Sequence, residues 1–323
     1  MPLFPRESTR CRPPLVERRA RCGPVLHRGP SEWDDVLSLN LTAGCFHRCA
    51  FCCARGSAAY PGDDRLVLYE RTAEQLDREL AGRRRRPRQV YISPATDPFP
   101  PLAEVQDETA RVVEVLARWQ VTACLVTRGF IRPSIQRVLE RHRRWVQVTV
   151  AMTTLDRRLQ HRLEPWAAPP RLRLRQLKSL HRCGVAVRAA LEPLIPDLTD
   201  TRRNLAPLLQ ALAEAGVRHV TAGYLFLRSG IRDHLAPVLG DEANILASYD
   251  AGPLLRSATV AAARYLPKAR RQRGYAGLMA LAAEYGIQVT LSSLTNPDFH
   301  AGPPPDGTSR PRLSLALLAQ ARP

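Results

Sequence analysis

Lysine is almost missing from this sequence. Lys178 and Lys268 are the only lysines among 48 basic residues, so the formal net charge of +18 over 323 residues is carried by arginine. Arginine, alanine, proline and leucine are abundant together, as GC-rich coding makes them, and this weakens the charge as a pointer to phosphate binding. The basic runs at 83–86, 141–144 and 268–273 read first as solvated helix ends and second as polyanion contacts. Aromatic residues make up 6%, too few to suggest a platform for stacking bases. No apolar run approaches the roughly 20 residues of a membrane-spanning helix. The opening MPLFPRESTRCRPP lacks the apolar stretch of a secretory signal. A soluble, cytoplasmic protein with no membrane partner is expected. Neither GxGxxG nor a P-loop occurs, which argues against an open nucleotide-binding sheet. Nor is there a second CxxC or an HxxxH to complete a structural zinc site.

What is there is concentrated in one loop. Cys45, Cys49 and Cys52 stand in CxxxCxxC spacing. That spacing can hold three corners of a [4Fe–4S] cluster and leave the fourth iron without a protein ligand. Four cysteines would suit the cluster to electron transfer alone, whereas an open iron can chelate a small molecule through an amine and a carboxylate. S-adenosylmethionine carries both groups, and an electron passed to its sulfonium can break the C5′–S bond to give a 5′-deoxyadenosyl radical. The alternative is a zinc knuckle completed by Cys53 or His47 in a non-catalytic nucleic-acid binding protein. A disulfide framework is not expected, because Cys11, Cys22, Cys124 and Cys183 are scattered. Cys124 and Cys183 read as small buried side chains.

The chain alternates. Apolar runs rich in β-branched residues recur at 36–41, 89–93, 121–127, 146–153, 185–195, 217–226 and 287–292. Between them, helical spacing covers 72–80, 103–119, 134–142, 171–183, 201–215 and 254–285. Repeated strand and helix imply parallel strands with right-handed crossovers. Polar residues gather where several of the runs end, as barrel enzymes place their sites. The expected fold is α/β: a partial (β/α)6 TIM-type barrel over 31–296, an irregular basic arm over 1–30 and a Pro-rich tail over 297–323.

Four segments resemble the spore photoproduct lyase-like branch of the radical S-adenosylmethionine enzymes. The branch's cluster loop reads NPYxGCxHxCxYCYAR, and 40–55 here read NLTAGCFHRCAFCCAR. Its second strand ends ISxxTDPYQPLE, against ISPATDPFPPLAE at 92–104. TTLDxxLxxxLEPRAPxPxxRL is similar to 153–174, and PxIPGLND to 193–200. Cys53, Trp166 and Asp197 replace the branch's Tyr, Arg and Gly. The residues with which true lyases return hydrogen atoms to the lesion have no matched position. The resemblance therefore implies the radical SAM fold and cofactor chemistry and leaves the substrate open.

It also implies roles. Ser93, Thr96 and Asp97 would meet the methionyl amine, as hydroxyls and carboxylates do, with turn formation as the competing role. Arg128, next to Thr127, would pair with the methionyl carboxylate. Thr153 and Thr154 would reach the ribose or simply fill a strand. Glu164 would orient Arg173 or the substrate, or else form a surface salt bridge. Arg188 and Glu192 share one face of the fifth strand, and His47 would bond a backbone group or a sulfur. With no second cluster motif, an external electron donor such as flavodoxin or ferredoxin is implied. Charge and resemblance together make a nucleic acid the favoured macromolecular substrate, with a protein or a small molecule left open as alternatives.

Overall fold

The computed structural model describes residues 13–28, 36–57, 59–256, 262–292 and 295–299. Seven parallel strands form its centre: β1 (Val36–Leu39), β2 (Gln89–Ile92), β3 (Thr122–Thr127), β4 (Val146–Ala151), β5 (Ala186–Leu194), β6 (His219–Tyr224) and β7 (Gln288–Leu291). They are hydrogen-bonded in chain order, and the short strand His27–Arg28 runs antiparallel against β1. Adding each strand beside the last is how a barrel winds. Here β1 and β7 stay unpaired with each other, so the sheet is open among the described residues. Among the described residues the parallel strands number seven, one for each apolar run of the sequence.

Register explains the burial. Leu37, Val90 and Ala123 are cross-strand neighbours and pack under the helices in the main core. One residue on, Tyr91 and Cys124 face the other side, where they form a small separate cluster with Val36 and Val126. The helices α1 (Thr72–Ala81), α2 (Ala103–Arg118), α3 (Pro133–Arg141), α4 (Arg157–Leu163), α5 (Pro170–Arg182), α6 (Arg202–Glu214), α7 (Ile231–Leu239) and α8 (Lys268–Glu284) cover the sheet. Some of their starts follow ordinary capping: Asp156 accepts from the Arg158 and Leu159 amides before α4, and proline opens α3 and α5.

Three expectations are corrected. The arm expected to be irregular contains the strand Leu15–Ala20, which pairs in parallel with Arg65–Glu70. The helical reading of 254–285 holds only from Lys268. Before it, Leu254–Leu255 pairs with Ala263–Arg264 as a short hairpin. Cys183 is only half-buried, at the end of α5, whereas Cys124 is buried. Most of the expected tail, 300–323, lies outside the described residues. Among the described residues no helix is long and apolar enough to cross a membrane.

The small sheet sets up the site. Thr42–Ala43 pairs antiparallel with Val67 and Leu68 in the middle of Arg65–Glu70, so the chain between these strands leaves the small sheet and returns to it. The cysteine loop is that excursion.

Candidate active site

The loop leaves β1 through Asn40 and Leu41, which are stitched to the end of β2. Ser93 Oγ accepts from the Leu41 amide at 3.1 Å and Asn40 Oδ1 from the Ala95 amide at 3.1 Å. Gly44 then turns with φ +80° against the Arg65 carbonyl and Pro61; a Cβ here would lie 2.7 Å from that oxygen, so only glycine fits. Further on, the Ala50 amide bonds the Leu163 carbonyl at 2.8 Å. Arginines clasp three of the loop's carbonyls: Arg228 donates to those of Cys53 and Gly56, each at 3.1 Å, and Arg55 to that of Cys49 at 3.4 Å.

Cys45, Cys49, Cys52 and Cys53 all line one cavity of about 780 Å³, measured out to its open mouth. The carboxyl ends of the strands form the remaining wall: Thr96 and Asp97 after β2, Arg128 after β3, Glu192 on β5, and Tyr224 and Phe226 at and beyond the end of β6. Of the residues expected to bind the cofactor, Thr96, Asp97 and Arg128 therefore face the cavity. Thr96 Oγ1 is buried and has no protein partner. Ser93, Thr127 and Thr153 stand behind the wall.

Two buried carboxylates organise that wall. Asp97 Oδ1 accepts from Thr127 Oγ1 at 2.7 Å and from the Phe99 amide at 2.8 Å, while Oδ2 accepts from the Arg128 amide at 2.7 Å. His47 Nε2 lies 3.0 Å from the same Oδ2, and its Nδ1 is 3.1 Å from the Trp166 carbonyl, the backbone partner expected of it. Burial alone would raise the Asp97 carboxyl, but His47 and the amide and hydroxyl donors hold it below the usual carboxylate range. Glu164 is fully buried between two guanidinium groups. Oε1 takes Arg128 at 2.5 Å and Thr153 Oγ1 at 3.3 Å, and Oε2 takes Arg173. Burial opposes its ionisation and the two arginines more than compensate. The reading of Glu164 as a surface salt bridge is thus corrected, and its role of orienting Arg173 stands. Arg128 also donates to the Glu192 carbonyl and lies 5.0 Å from the Phe51 ring centroid.

The donor set can be tested against an iron–sulfur group. Burial pushes the Cys45 and Cys49 thiols upward, with Arg128 pulling Cys49 the other way. Thiols in this state need added positive charge to ionise, which a bound metal core supplies. Among the described residues no three His, Cys, Asp or Glu side chains converge as the ligands of one metal ion do. Thiolates on a single zinc each lie about 2.3 Å from it, whereas thiolates on separate irons of a cluster stand farther apart. Cys45, Cys49 and Cys52, all on one cavity with Arg128, are soft donors of the kind that hold a cluster. Burial pushes the Cys53 thiol up to about 12, and the side chain packs against the cluster of Phe226, Ala263 and Tyr265.

Sequence reading missed three features: the His47–Asp97 contact, the Arg228 clasp and the β6 wall. The first two join residues 50 and 175 apart in the chain. The wall, Gly223 to Phe226, closes an apolar run without a polar end, so it gave no signal of its own.

No protein-family model matches the chain. An uncharacterised protein of Acidianus two-tailed virus is 24% identical over 249 residues, covering 72% of this chain and 82% of the relative. An uncharacterised Mycobacterium tuberculosis protein is 27% identical over 204 residues, and the chain spans 60% of its length. A Pseudomonas phage M6 protein named as a radical SAM isomerase is 24% identical, with 56% of this chain and 37% of the relative covered. Among solved structures, spore photoproduct lyase superposes with TM-score 0.70 at 11% identity, covering 86% of this chain and 82% of the lyase. SuiB of Streptococcus suis, solved bound to S-adenosylmethionine, gives 0.53 at 12% identity, covering 80% and 51%. The fold is that of the radical SAM enzymes. The cysteine loop, which follows the first strand, faces the carboxyl ends of the others.

Proposed function

We propose that this chain is a radical SAM enzyme that holds a [4Fe–4S] cluster on Cys45, Cys49 and Cys52. The observation that carries the reading is that all three cysteines line one cavity with the carboxyl ends of β2, β5 and β6. When bound, the cluster supplies an electron to the sulfonium of S-adenosylmethionine chelated at its open iron, releasing a 5′-deoxyadenosyl radical.

The protein's own groups supply the setting. The His47–Asp97 contact fixes the middle of the loop to the end of β2. The clasping arginines place positive charge beside the loop, which suits a thiolate-rich, net-negative group. With both Arg128 Nη atoms engaged by Glu164 and Glu192, its part is to hold charge near the cysteines and keep Glu192 in the cavity wall. The free hydroxyl of Thr96 is the group left to meet a ligand. Phe226, Leu225, Ala95 and Pro94 give an apolar side suited to a nucleoside. An external one-electron donor such as flavodoxin or ferredoxin recharges the site in a reducing, cytoplasmic setting.

Anaerobic reconstitution tests the assignment. The reading expects about four irons per chain and a broad absorbance near 400 nm that bleaches on reduction. Colourless protein carrying zinc would replace it with the zinc-bearing alternative.

A further inference from the structure

The charge of the chain has a place. The segments that lead into the amino ends of β2, β4 and β5 carry Arg84, Arg85, Arg86, Arg143, Arg144 and, at the end of α5, Arg182, all exposed. Among the described residues Arg84, Arg85, Arg143, Arg144 and Arg182 meet no carboxylate, whereas Arg83 pairs with Glu79 and Arg118 with Asp77. On the opposite, carboxyl-end side of the sheet Arg132, Arg162, Arg232 and Arg270 each sit on an acidic side chain, while Arg158 and Arg203 are exposed there.

Two stretches of the rim are tied by contacts. Arg86 lies over the Trp119 ring at 4.5 Å, tying the loop before β2 to the end of α2. Arg144 covers Trp145 at 5.2 Å. A Cβ on Gly184 would stand 3.3 Å from Arg143 Cδ, so the loops before β4 and β5 touch. Favourable interaction with helix C-termini explains one basic residue per helix end. It does not explain three exposed arginines in a row beyond the Gly82 cap of α1.

We propose that this arginine rim at the amino ends of the strands is a docking surface for nucleic-acid backbone, on the face opposite the cysteine cavity. Arginine offers forked donors to phosphate oxygens, and planar aromatics beside it tolerate bases or sugars. An acidic electron carrier fits the charge but not the position. The six residues of β3 separate the rim from Arg128 by about 20 Å at roughly 3.3 Å per residue, which removes a docked carrier from the cysteines. The docked nucleic acid is accordingly a tether or scaffold, and the charge says nothing of what enters the cavity.

The test uses the full chain, a fluorescein-labelled 20-base-pair DNA duplex and salt from 50 to 200 mM. The variant carrying Arg84→Ala, Arg85→Ala, Arg143→Ala and Arg144→Ala should bind at least tenfold more weakly at the lowest salt. Its log–log salt slope should shrink by about 3 to 4, the loss of roughly four phosphate contacts. A variant of the opposite side, Arg158→Ala with Arg203→Ala, should bind as the parent does. The double charge reversal Arg84→Glu with Arg85→Glu serves as a second variant should the fourfold one melt early. An unchanged slope in the rim variants would overturn the proposal. So would a loss confined to the opposite-side variant, or binding to phosphatidylserine vesicles in place of the duplex. Binding is read without iron or S-adenosylmethionine, so its outcome is separable from that of the radical chemistry.

Discussion

His47 Nε2 lies 3.0 Å from Asp97 Oδ2, so the cysteine loop is anchored at its middle to the end of the second strand. The same carboxylate takes the Thr127 hydroxyl and the Arg128 and Phe99 amides. Asp97→Asn keeps the size but replaces one acceptor oxygen by a donor facing the Arg128 amide and His47. The expected result is a loss of about 1–3 kcal/mol of stability together with lower iron content after reconstitution. Full iron content with weakened S-adenosylmethionine binding would instead place Asp97 on the cofactor's amine.

Glu164→Ala should be among the most damaging substitutions away from the cysteines. It leaves Arg128 and Arg173 buried without their shared counter-charge, a situation that costs about 3–5 kcal/mol. Urea denaturation measures it, and a change below about 1 kcal/mol would mean that the arginines find water.

Asp97 and Glu164 are both held below the usual carboxylate range. Such groups give their full stabilisation above the ordinary, unfolded carboxylate values near pH 4, and lose it as pH falls through the lower folded values. Melting temperature should therefore be flat above about pH 5 and fall steeply below pH 4, with Glu164→Gln flattening the acid limb.

At Gly44 an alanine meets both a positive φ and the Arg65 carbonyl. Gly44→Ala should cost on the order of 1–3 kcal/mol and lower iron uptake. Gly62→Ala, also at positive φ but with nothing within 4 Å, should cost less. Equal melting temperatures and iron contents for the two would remove the argument from close approach.

The sequence carried the parallel alternation well, because apolar runs of β-branched residues are what strands buried between layers require. It also carried the cysteine spacing, which is local. The strand Leu15–Ala20 was missed because its residues LVERRA are mostly exposed or half-buried and show no period. The hairpin at Leu254–Leu255 was missed because two-residue strands leave no pattern. Within the site, Glu164 looked like any loop carboxylate before a proline. Its burial depends on Arg128, 36 residues earlier, and periodicity does not report such contacts. Arginine abundance hid the difference between the buried Arg128 and Arg173 and the exposed rim at 84–86.

Cys53 separates an open-site cluster from a four-thiolate one. Cys45→Ala, Cys49→Ala and Cys52→Ala should each lose the iron, while Cys53→Ala should keep it. Equal loss in all four variants would favour four-thiolate ligation.

The central claim is reductive cleavage of S-adenosylmethionine, and the most direct measurement is 5′-deoxyadenosine formed from labelled S-adenosylmethionine under anaerobic, reducing conditions. The account predicts product from the reconstituted chain, dependent on the reductant, and none from Cys49→Ala. Iron-loaded protein that binds S-adenosylmethionine yet yields no 5′-deoxyadenosine above the Cys49→Ala background would contradict it.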